Sequence, residues 1–538
     1  MTSERPPPEP APNPEALLAA ARAGGPEAAA LALRAAQLAE GSKRALAREA
    51  LTLALRFEPL DPIPRLALAR LSAEDGAFAD ARREAEAVLS SAVDQAARAR
   101  AAFLLGEIAR LQGDFIQSRL RFSETLRIED ALLAASRGDP SAVRWYARAR
   151  GRLAELDAID GERERALAGA EGALAMLRAS AASVGEPPAL AADIADAEMR
   201  LAEMELANAQ PASARRRLGE AIGRYEALAV TEREEPHWRD VLADAWALAA
   251  EAEFARGQHE AACDAMDKAL HARLRLAARD RSEAWALAGV WRRRAMLRAA
   301  IGDQVAAADS FAQARALAEQ LVKASPLQRR FLVHTLLEQA DHALREGELE
   351  HAREAADLAR QHAEQEAVEQ PAPEAMEAAA ACWDRLGETA RKTPAPERAR
   401  DAFARAVEFR RLSLTETQPA SRLDGLAAAL IKLGDAALTV GANAEARASF
   451  EESATLRFGF YEADASDVRR ARALAVALER FGLAALAQAD RGAARAAFED
   501  ALILADAIFS DADDAEARRF RGALESNLLR AGGVLTPR

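Results

Sequence analysis

The sequence predicts an all-α fold, an α-solenoid built from helical hairpins that repeat along the chain. Hydrophobic residues make up 50% of the 538 residues and aromatic residues only 5%, and Ala and Leu dominate the apolar share. Both are strong helix formers, and Ala lets neighbouring helices approach closely. Long β-branched stretches with the period-two alternation of a strand are absent from the sequence. A small residue inside an apolar pattern recurs at regular spacing, which is typical of a repeat array.

The clearest repeat begins at Trp383–Gly387, which reads W-x-x-L-G. In a helix, Leu386 and Gly387 lie on one face, where the small residue admits the partner helix. Ala399, Phe403 and Ala406 follow with the spacing i, i+4 and i+7 and therefore share a face of a second helix. We expect the phenylalanine to fill the space between hairpins.

The same pattern recurs along the chain, with Phe or Met 16 positions after the small residue. The other clear copies pair Gly106 with Phe122, Ala250 with Met266, Ala295 with Phe311, Gly434 with Phe450 and Gly482 with Phe498. Weaker copies centre on Ala35, Ala69, Ala154, Ala202 and Ala340, which gives eleven candidate units. One motif position carries a tryptophan in three units, and we expect it to pack in the core between hairpins: Trp246, Trp291 and Trp383.

This pattern resembles the tetratricopeptide motif, and the resemblance covers roughly residues 20 to 530. The spacing from Ala35 to Ala69 is 34 residues, the next spacing is 37, and from Gly106 to Gly482 it stays between 45 and 48. The long units resemble the extended tetratricopeptide repeats of bacterial proteins. The resemblance implies a right-handed superhelix that binds a peptide or protein segment in its concave groove.

Prolines and glycines mark the expected helix boundaries. Proline suits the first turn of a helix, where its missing N–H needs no partner, and the candidates are Pro140, Pro188, Pro236, Pro326, Pro371 and Pro419. A glycine seven residues after the small residue can end the first helix in the left-handed conformation. These glycines are Gly113, Gly161, Gly257, Gly302, Gly347 and Gly441. We expect the long helices to have about 18–22 residues.

The repeat period divides the chain into five segments. We expect a disordered Pro-rich tail at residues 1–14 and hairpins of near-standard length at residues 15–138. Extended repeats of 45–48 residues should occupy residues 139–510. Residues 511–530 should form a C-terminal capping helix that covers the last apolar face, and residues 531–538 should form a tail.

Charge and cysteine content argue against several classes of function. The formal net charge of −13 disfavours nucleic acid and anionic membrane surfaces as partners. The two cysteines, Cys263 and Cys382, are too few and too far apart for a disulfide framework or a Cys-type zinc site. The N-terminal segment lacks the pattern of a signal peptide, and no uncharged apolar stretch of about 18 residues occurs. We therefore expect a cytoplasmic protein.

The sequence contains no recognisable catalytic motif. It has no G-x-x-x-x-G-K-[ST] loop, no G-x-S-x-G elbow and no kinase motif set. His259 and Cys263 have the i, i+4 spacing of metal ligands, but a surface histidine beside a small core cysteine is the simpler interpretation, because no third ligand is evident. We therefore expect no enzyme activity, no cofactor, no metal and no small-molecule substrate.

The residue after the central small residue is acidic in seven of nine consecutive units. These acids are Glu107, Glu155, Glu203, Glu251, Asp341, Glu388 and Asp435, and Met296 and Leu483 interrupt the series. In tetratricopeptide-like hairpins this position faces the concave side, so the carboxylates would focus a negative potential there and favour a basic partner. Two other interpretations stay open: the repeat itself favours an acid here, or the acid pairs with an arginine of the neighbouring helix.

Two functions fit these features. The first is a non-catalytic scaffold for protein–protein interaction, with a peptide or protein segment bound in the concave groove. The second is a regulatory or sensor protein, in which ligand binding changes the pitch of the array and signals to a separate effector. The sequence does not identify the partner under either function.

Overall fold

A computed structural model describes residues 13–39, 44–91, 94–136, 139–231, 237–278, 284–325, 328–414, 420–508 and 515–534. These residues form 24 helices and no strand, which confirms the predicted all-α fold. The chain divides into two compact units, Met1–Val290 and Trp291–Arg538. Within each unit, helices that follow one another in sequence pack against each other as hairpins.

The first unit begins with α1 and continues, from α2 and α3 onwards, as hairpins in which an even-numbered first helix is followed by an antiparallel second helix. Its helices are α1 (Pro14–Arg22), α2 (Ala28–Ala39), α3 (Arg44–Phe57), α4 (Pro62–Glu74), α5 (Phe78–Ser91), α6 (Gln95–Leu111), α7 (Phe115–Ser136), α8 (Pro140–Ile159), α9 (Arg163–Val184), α10 (Pro188–Ala207), α11 (Pro211–Thr231), α12 (His237–Ala255) and α13 (His259–Ala277). From α6 onwards these helices have 17–22 residues, close to the predicted length.

The second unit has the same alternation of first and second helices. The helix α14 (Ala284–Ala300) contains the point of division between the units. The helices that follow are α15 (Gln304–Ala324), α16 (Arg329–Glu346), α17 (Leu349–Glu369), α18 (Pro373–Arg391), α19 (Pro396–Ser413), α20 (Ala420–Thr439), α21 (Asn443–Ala463), α22 (Val468–Ala487), α23 (Arg491–Ile508) and α24 (Ala515–Arg530).

A residue in the left-handed conformation ends the first helix of most hairpins. The six glycines predicted for this role have φ between 74° and 84°. Gly76, with φ 76°, has the same role seven residues after Ala69. In two other hairpins the equivalent residue is an alanine with positive φ, Ala209 (56°) and Ala489 (61°). The backbone of this turn is therefore kept even where the sequence lacks glycine.

The prolines agree with the predicted helix starts at Pro140 and Pro188, which are the first residues of α8 and α10. The prediction for Pro371 is wrong, because α18 begins two residues later, at Pro373. Proline disfavours helical geometry in the residue before it, and Ala372 is accordingly extended, with φ −117° and ψ 149°. The other three predicted positions, Pro236, Pro326 and Pro419, lie outside the described residues.

The small residue and the aromatic ring 16 positions later are in close contact within the hairpins. A Cβ added to the glycine would lie 2.4–2.7 Å from a ring carbon in four hairpins, those of Gly106, Gly387, Gly434 and Gly482. The corresponding rings, and that of Phe311, are at most 1% exposed: Phe122, Phe403, Phe450 and Phe498. The two helices of a hairpin can approach this closely because the first helix carries no side chain at the contact.

The three motif tryptophans are less enclosed than we expected. Trp246, Trp291 and Trp383 are each only partly buried, and a cation lies over each ring. Over Trp246, for example, the Lys268 ammonium is 4.2 Å from the ring centroid. The indole nitrogen of Trp383 also donates a hydrogen bond to a carboxylate, at 2.8 Å. These rings therefore form the border between the core and the solvated surface, as suits a side chain with one polar atom.

Successive first helices contact each other within each unit. In the first unit α6 contacts α8, α8 contacts α10 and α10 contacts α12, and in the second unit α16 contacts α18 and α20 contacts α22. From α5 onwards, successive second helices make no comparable contacts among the described residues. Each unit therefore curves towards its first helices, which lie on the concave side.

The last described helix, α24, packs on the helix before it, α23. Leu524 and Leu528 of α24 are buried against the core that α23 provides, where we predicted a capping helix. At the other end, Asn13 caps α1 and Pro14 is its first residue, so that Pro14 belongs to a helix and not to the predicted tail. Residues 1–12, 511–514 and 535–538 lie outside the described ranges. None of the helices in those ranges is long and apolar enough to cross a membrane.

Candidate functional site: a charged stripe on the first helices

The predicted acidic positions all lie on first helices, on the concave side of each unit. Two residues before the central small residue, several first helices also carry a base. The acid of one hairpin pairs with the base of the next, 44 or 45 residues later. We call these residues the charged stripe, and its pairs are Glu107–Arg152, Glu155–Arg200, Asp341–Arg385, Glu388–Lys432 and Asp435–Arg480.

In the first unit the charged stripe is a chain of alternating charges. Arg152 Nε lies 2.9 Å from Glu107 Oε1, and Arg152 Nη1 donates to Glu155 Oε1 at 2.8 Å. Arg200 then lies 3.8 Å from Glu155. Burial opposes the charge on Arg152, but the carboxylates of Glu155 and Glu107 outweigh burial and raise the pKa of its guanidinium. The chain of contacts fixes the spacing of α6, α8 and α10.

In the second unit the same arrangement runs from α16 to α22. Arg385 Nη2 donates to Asp341 Oδ2 at 3.1 Å, and Lys432 Nζ lies 3.5 Å from Glu388 Oε1. Arg480 Nε lies 3.4 Å from Asp435 Oδ1. Burial raises the pKa of the Asp435 carboxyl, although the charge of Arg480 acts against this. These acids are half-buried, so each carboxylate keeps some contact with solvent while it pairs with its neighbour.

Two further predicted acids lie on first helices of the first unit. Glu203 and Glu251 are exposed on α10 and α12. The residue on α12 at the position of the base is Leu248, whereas α14 again carries a base at this position, Arg293. The repeating base is therefore replaced by an apolar residue on α12.

Sequence reasoning missed a set of carboxylates that are buried between hairpins. Asp193 is 2% exposed and receives hydrogen bonds from Arg144 and, at 2.6 Å, from Arg148. Glu198 is completely buried and pairs with two arginines from second helices, Arg178 at 2.8 Å and Arg224 at 3.1 Å. Burial raises the pKa of the Glu198 carboxyl, and the arginines only partly offset this. These carboxylates could have been recognised in the sequence as acidic residues at positions of the first helix where the helical periodicity predicts core residues.

The structure does not bring a metal-binding set together around His259 and Cys263. Within the described ranges, no group of three or more His, Cys, Asp or Glu side chains is placed to hold a metal ion. Cys263 is buried in α13, and the ring of His259 lies 5.3 Å from that of Phe254. The candidate functional surface is therefore the charged stripe.

Hairpins with this motif and this packing make the chain an all-α array of tetratricopeptide-like hairpins. No protein-family model and no curated protein matches the sequence. Among solved structures, yeast Tom70 is similar at 13% identity over 96% of both chains, with a TM-score of 0.39. The apo form of RapI is similar at 10% identity over 74% of this chain and 98% of that one, with a TM-score of 0.47. A signal transduction ATPase with a tetratricopeptide repeat sensor, from Pyrococcus horikoshii, is similar at 13% identity over 60% of this chain and 46% of that one, with a TM-score of 0.40.

Proposed function

We propose that the chain is a non-catalytic interaction scaffold that binds a protein or peptide segment along the charged stripe. The observation that supports this is the constant position of the stripe on successive first helices of the concave side. A concave surface with regularly repeated side chains can contact an extended segment at several points. One extended segment could therefore bind several hairpins at once.

We further propose that the bound segment is basic. The net charge of −13 attracts a cationic partner at long range, and the exposed acids Glu203 and Glu251 provide close contacts. At the paired positions of the stripe, an arginine of the partner would share a carboxylate with the arginine or lysine already present. Such a partner would bind more weakly at high salt, because ions screen exposed charges.

The proposal includes a cytoplasmic location. Cys263 and Cys382 are both buried, and burial raises the pKa of the Cys382 thiol to about 12. A protonated and enclosed thiol such as that of Cys382 fits a reducing compartment.

The test begins with affinity capture of the partner from the native cell and its identification by mass spectrometry. Binding of that partner is then measured against salt for a stripe variant, Glu203→Gln, Glu251→Gln, Glu388→Gln and Asp435→Asn. A matched control neutralises four acids of second helices, Glu171→Gln, Glu350→Gln, Asp401→Asn and Glu408→Gln. We expect the stripe variant to lower the association rate and its salt dependence, and the control to leave both nearly unchanged.

Equal affinity and equal salt dependence in the two variants would refute binding along the stripe. Small-angle scattering with and without the partner tests the sensor alternative separately. A scaffold keeps its dimensions on binding, whereas a sensor requires a measurable change in the pitch of the array.

A further inference from the structure

A second feature of the molecule, independent of the charged stripe, is a pocket of about 410 Å³ at the start of α20 and α22. Its wall includes Ser421 of α20, Arg457 and Phe460 of α21, and Arg469 and Arg470 of α22. A volume of several hundred cubic ångströms is typical of pockets that hold small organic ligands. The first turns of two helices border it, and the positive ends of their dipoles favour an anion.

Arg457 occupies a repeat position that is also arginine in two other hairpins, 23 residues after the small residue. At the other two positions carboxylates neutralise the guanidinium. Arg273 lies 2.6 Å from Asp244, and Arg410 lies 2.6 Å from Asp384. The position equivalent to Asp384 in the hairpin of Arg457 is Ile431. Two of these arginines are therefore paired with a carboxylate of their own hairpin, whereas the hairpin of Arg457 has an apolar residue at the position of Asp384.

No carboxylate of the described residues lies within 4.0 Å of the Arg457 guanidinium. Its Nη1 donates to the Ala473 carbonyl at 2.7 Å, and its Nε is buried without a hydrogen-bond acceptor in the described part of the chain. Burial lowers the pKa of this guanidinium, and the charge of Asp424 offsets this only in part. Arg457 as a whole is partly buried, and a partly desolvated cation without a counterion is less stable than one whose charge a ligand balances.

The other charges of the pocket leave it positive. Of the described residues that line the pocket, two are acidic, Asp424 and Asp467, and three are arginines, which gives a net charge of +1 in a chain whose net charge is −13. Asp467 is the N-cap of α22 and lies 3.5 Å from both Arg469 and Arg470. The carboxylate of Asp467 is therefore already paired with these two arginines, and within the described ranges Asp424 is the one carboxylate whose charge acts on Arg457.

We propose that this pocket binds the oxyanion of an organic ligand, a phosphate ester or a carboxylate, with Arg457 as its main contact. Arginine presents two parallel N–H donors that match the oxygens of either group. Phe460 lines the pocket beside Arg457 and provides an apolar wall for the organic part. The hydroxyl of Ser421 lines the same pocket and adds a donor for the anion.

The test is calorimetric titration of the full chain with phenyl phosphate, benzoate and inorganic phosphate. We expect one site that binds phenyl phosphate or benzoate more tightly than inorganic phosphate, and the order of the first two shows which oxyanion the pocket prefers. Arg457→Met should weaken binding by about tenfold or more, the usual loss when a charge-assisted hydrogen bond is removed. Arg447→Gln is the control, because Arg447 is on the same helix but pairs with Asp490 outside the pocket.

Circular dichroism checks that the variants fold. Arg457→Met removes a half-buried charge that has no counterion among the described residues, so we expect its melting temperature to equal or exceed that of the parent chain. If this variant does not fold, the same titrations are carried out with Arg470→Gln, which should also weaken binding. Absence of saturable binding for all three probes, or unchanged affinity in the folded arginine variant, would overturn the proposal.

Discussion

Gly387 and Phe403 are in direct contact across the hairpin of α18 and α19. A Cβ at residue 387 would lie 2.5 Å from a ring carbon of Phe403, far below the ~3.5 Å at which two carbon atoms attract each other. The absence of a side chain at Gly387 is therefore a condition for the observed distance between the helices.

The first prediction concerns this contact. Gly387→Ala should destabilise the chain by about 1–3 kcal/mol, because the buried ring has to move or the helices have to separate. The control is Gly459→Ala in α21, where a Cβ meets no atom within 4 Å. That change should stabilise by about 0.5–1 kcal/mol through helix propensity alone. Urea denaturation followed by circular dichroism measures both, and the same sign for the two variants would contradict the contact.

The second prediction concerns the ring itself. Phe403→Ala and Phe450→Ala should each cost about 3–5 kcal/mol, the usual effect of emptying a buried phenylalanine site. Since each hairpin packs mainly on its neighbours, hydrogen exchange should accelerate mostly in the mutated hairpin and the two beside it. An equal increase along the whole chain would show that the array unfolds as one cooperative body instead.

The third prediction concerns the turn between α22 and α23. Ala489 has φ 61°, a conformation that strains a residue with a Cβ. Ala489→Gly should therefore stabilise the chain by up to about 1 kcal/mol, after the larger entropy of glycine in the unfolded state is counted. Gly441→Ala, at the equivalent turn with φ 77°, should destabilise by a similar amount. Thermal melts of the two variants should move in opposite directions, and a lower melting temperature for Ala489→Gly would refute the argument.

The fourth prediction concerns Glu129 on α7, which is 1% exposed. Burial raises the pKa of its carboxyl from 4.5 to about 7, and Arg100 opposes this shift only in part. The folded state therefore keeps the proton to a higher pH than the unfolded state. The resulting stabilisation is complete below about pH 4.5 and is lost as the pH rises towards 7.

Glu129→Gln should remove this loss and stabilise the chain at pH 8 by about 1–3 kcal/mol, with little effect at pH 4.5. Denaturation midpoints measured between pH 4.5 and 8 test it. Asp130→Asn, which changes an exposed carboxylate on the same helix, is the control and should not produce this pH-dependent gain. Parallel pH profiles for Glu129→Gln and the parent chain would show that Glu129 does not titrate in this range.

The repeat was predictable because its determinants are local in sequence. Gly434 and Phe450, for example, are 16 residues apart and belong to one hairpin, so their spacing alone predicts the contact. The acids of the charged stripe were found in the same way. Pairing with a neighbouring arginine was one of the interpretations left open, but the bases themselves, such as Arg152 and Arg200, were not singled out, although they recur two residues before the small residue.

The environment of Arg457 could not be predicted from the sequence. Whether an arginine in the second helix is neutralised depends on which side chain the neighbouring helix places beside it, and on the distance between them. Asp424 is at the same repeat position as Asp240, ten residues before the small residue. Asp240 forms an ion pair with Arg273, whereas Asp424 forms none with Arg457 within 4.0 Å. The two pairs have the same spacing in sequence, so the spacing alone does not show which of the two arginines forms an ion pair.

The charged stripe also bears on how a chain of this kind can evolve. A hairpin such as that of α8 carries both a base, Arg152, which pairs with the preceding hairpin, and an acid, Glu155, which pairs with the following one. Duplication of such a hairpin inserts one acid and one base together, so each new carboxylate meets a cation. Deletion removes one of each and lets the flanking hairpins pair directly. The gene can therefore gain or lose whole hairpins while the ion pairs between neighbours are conserved.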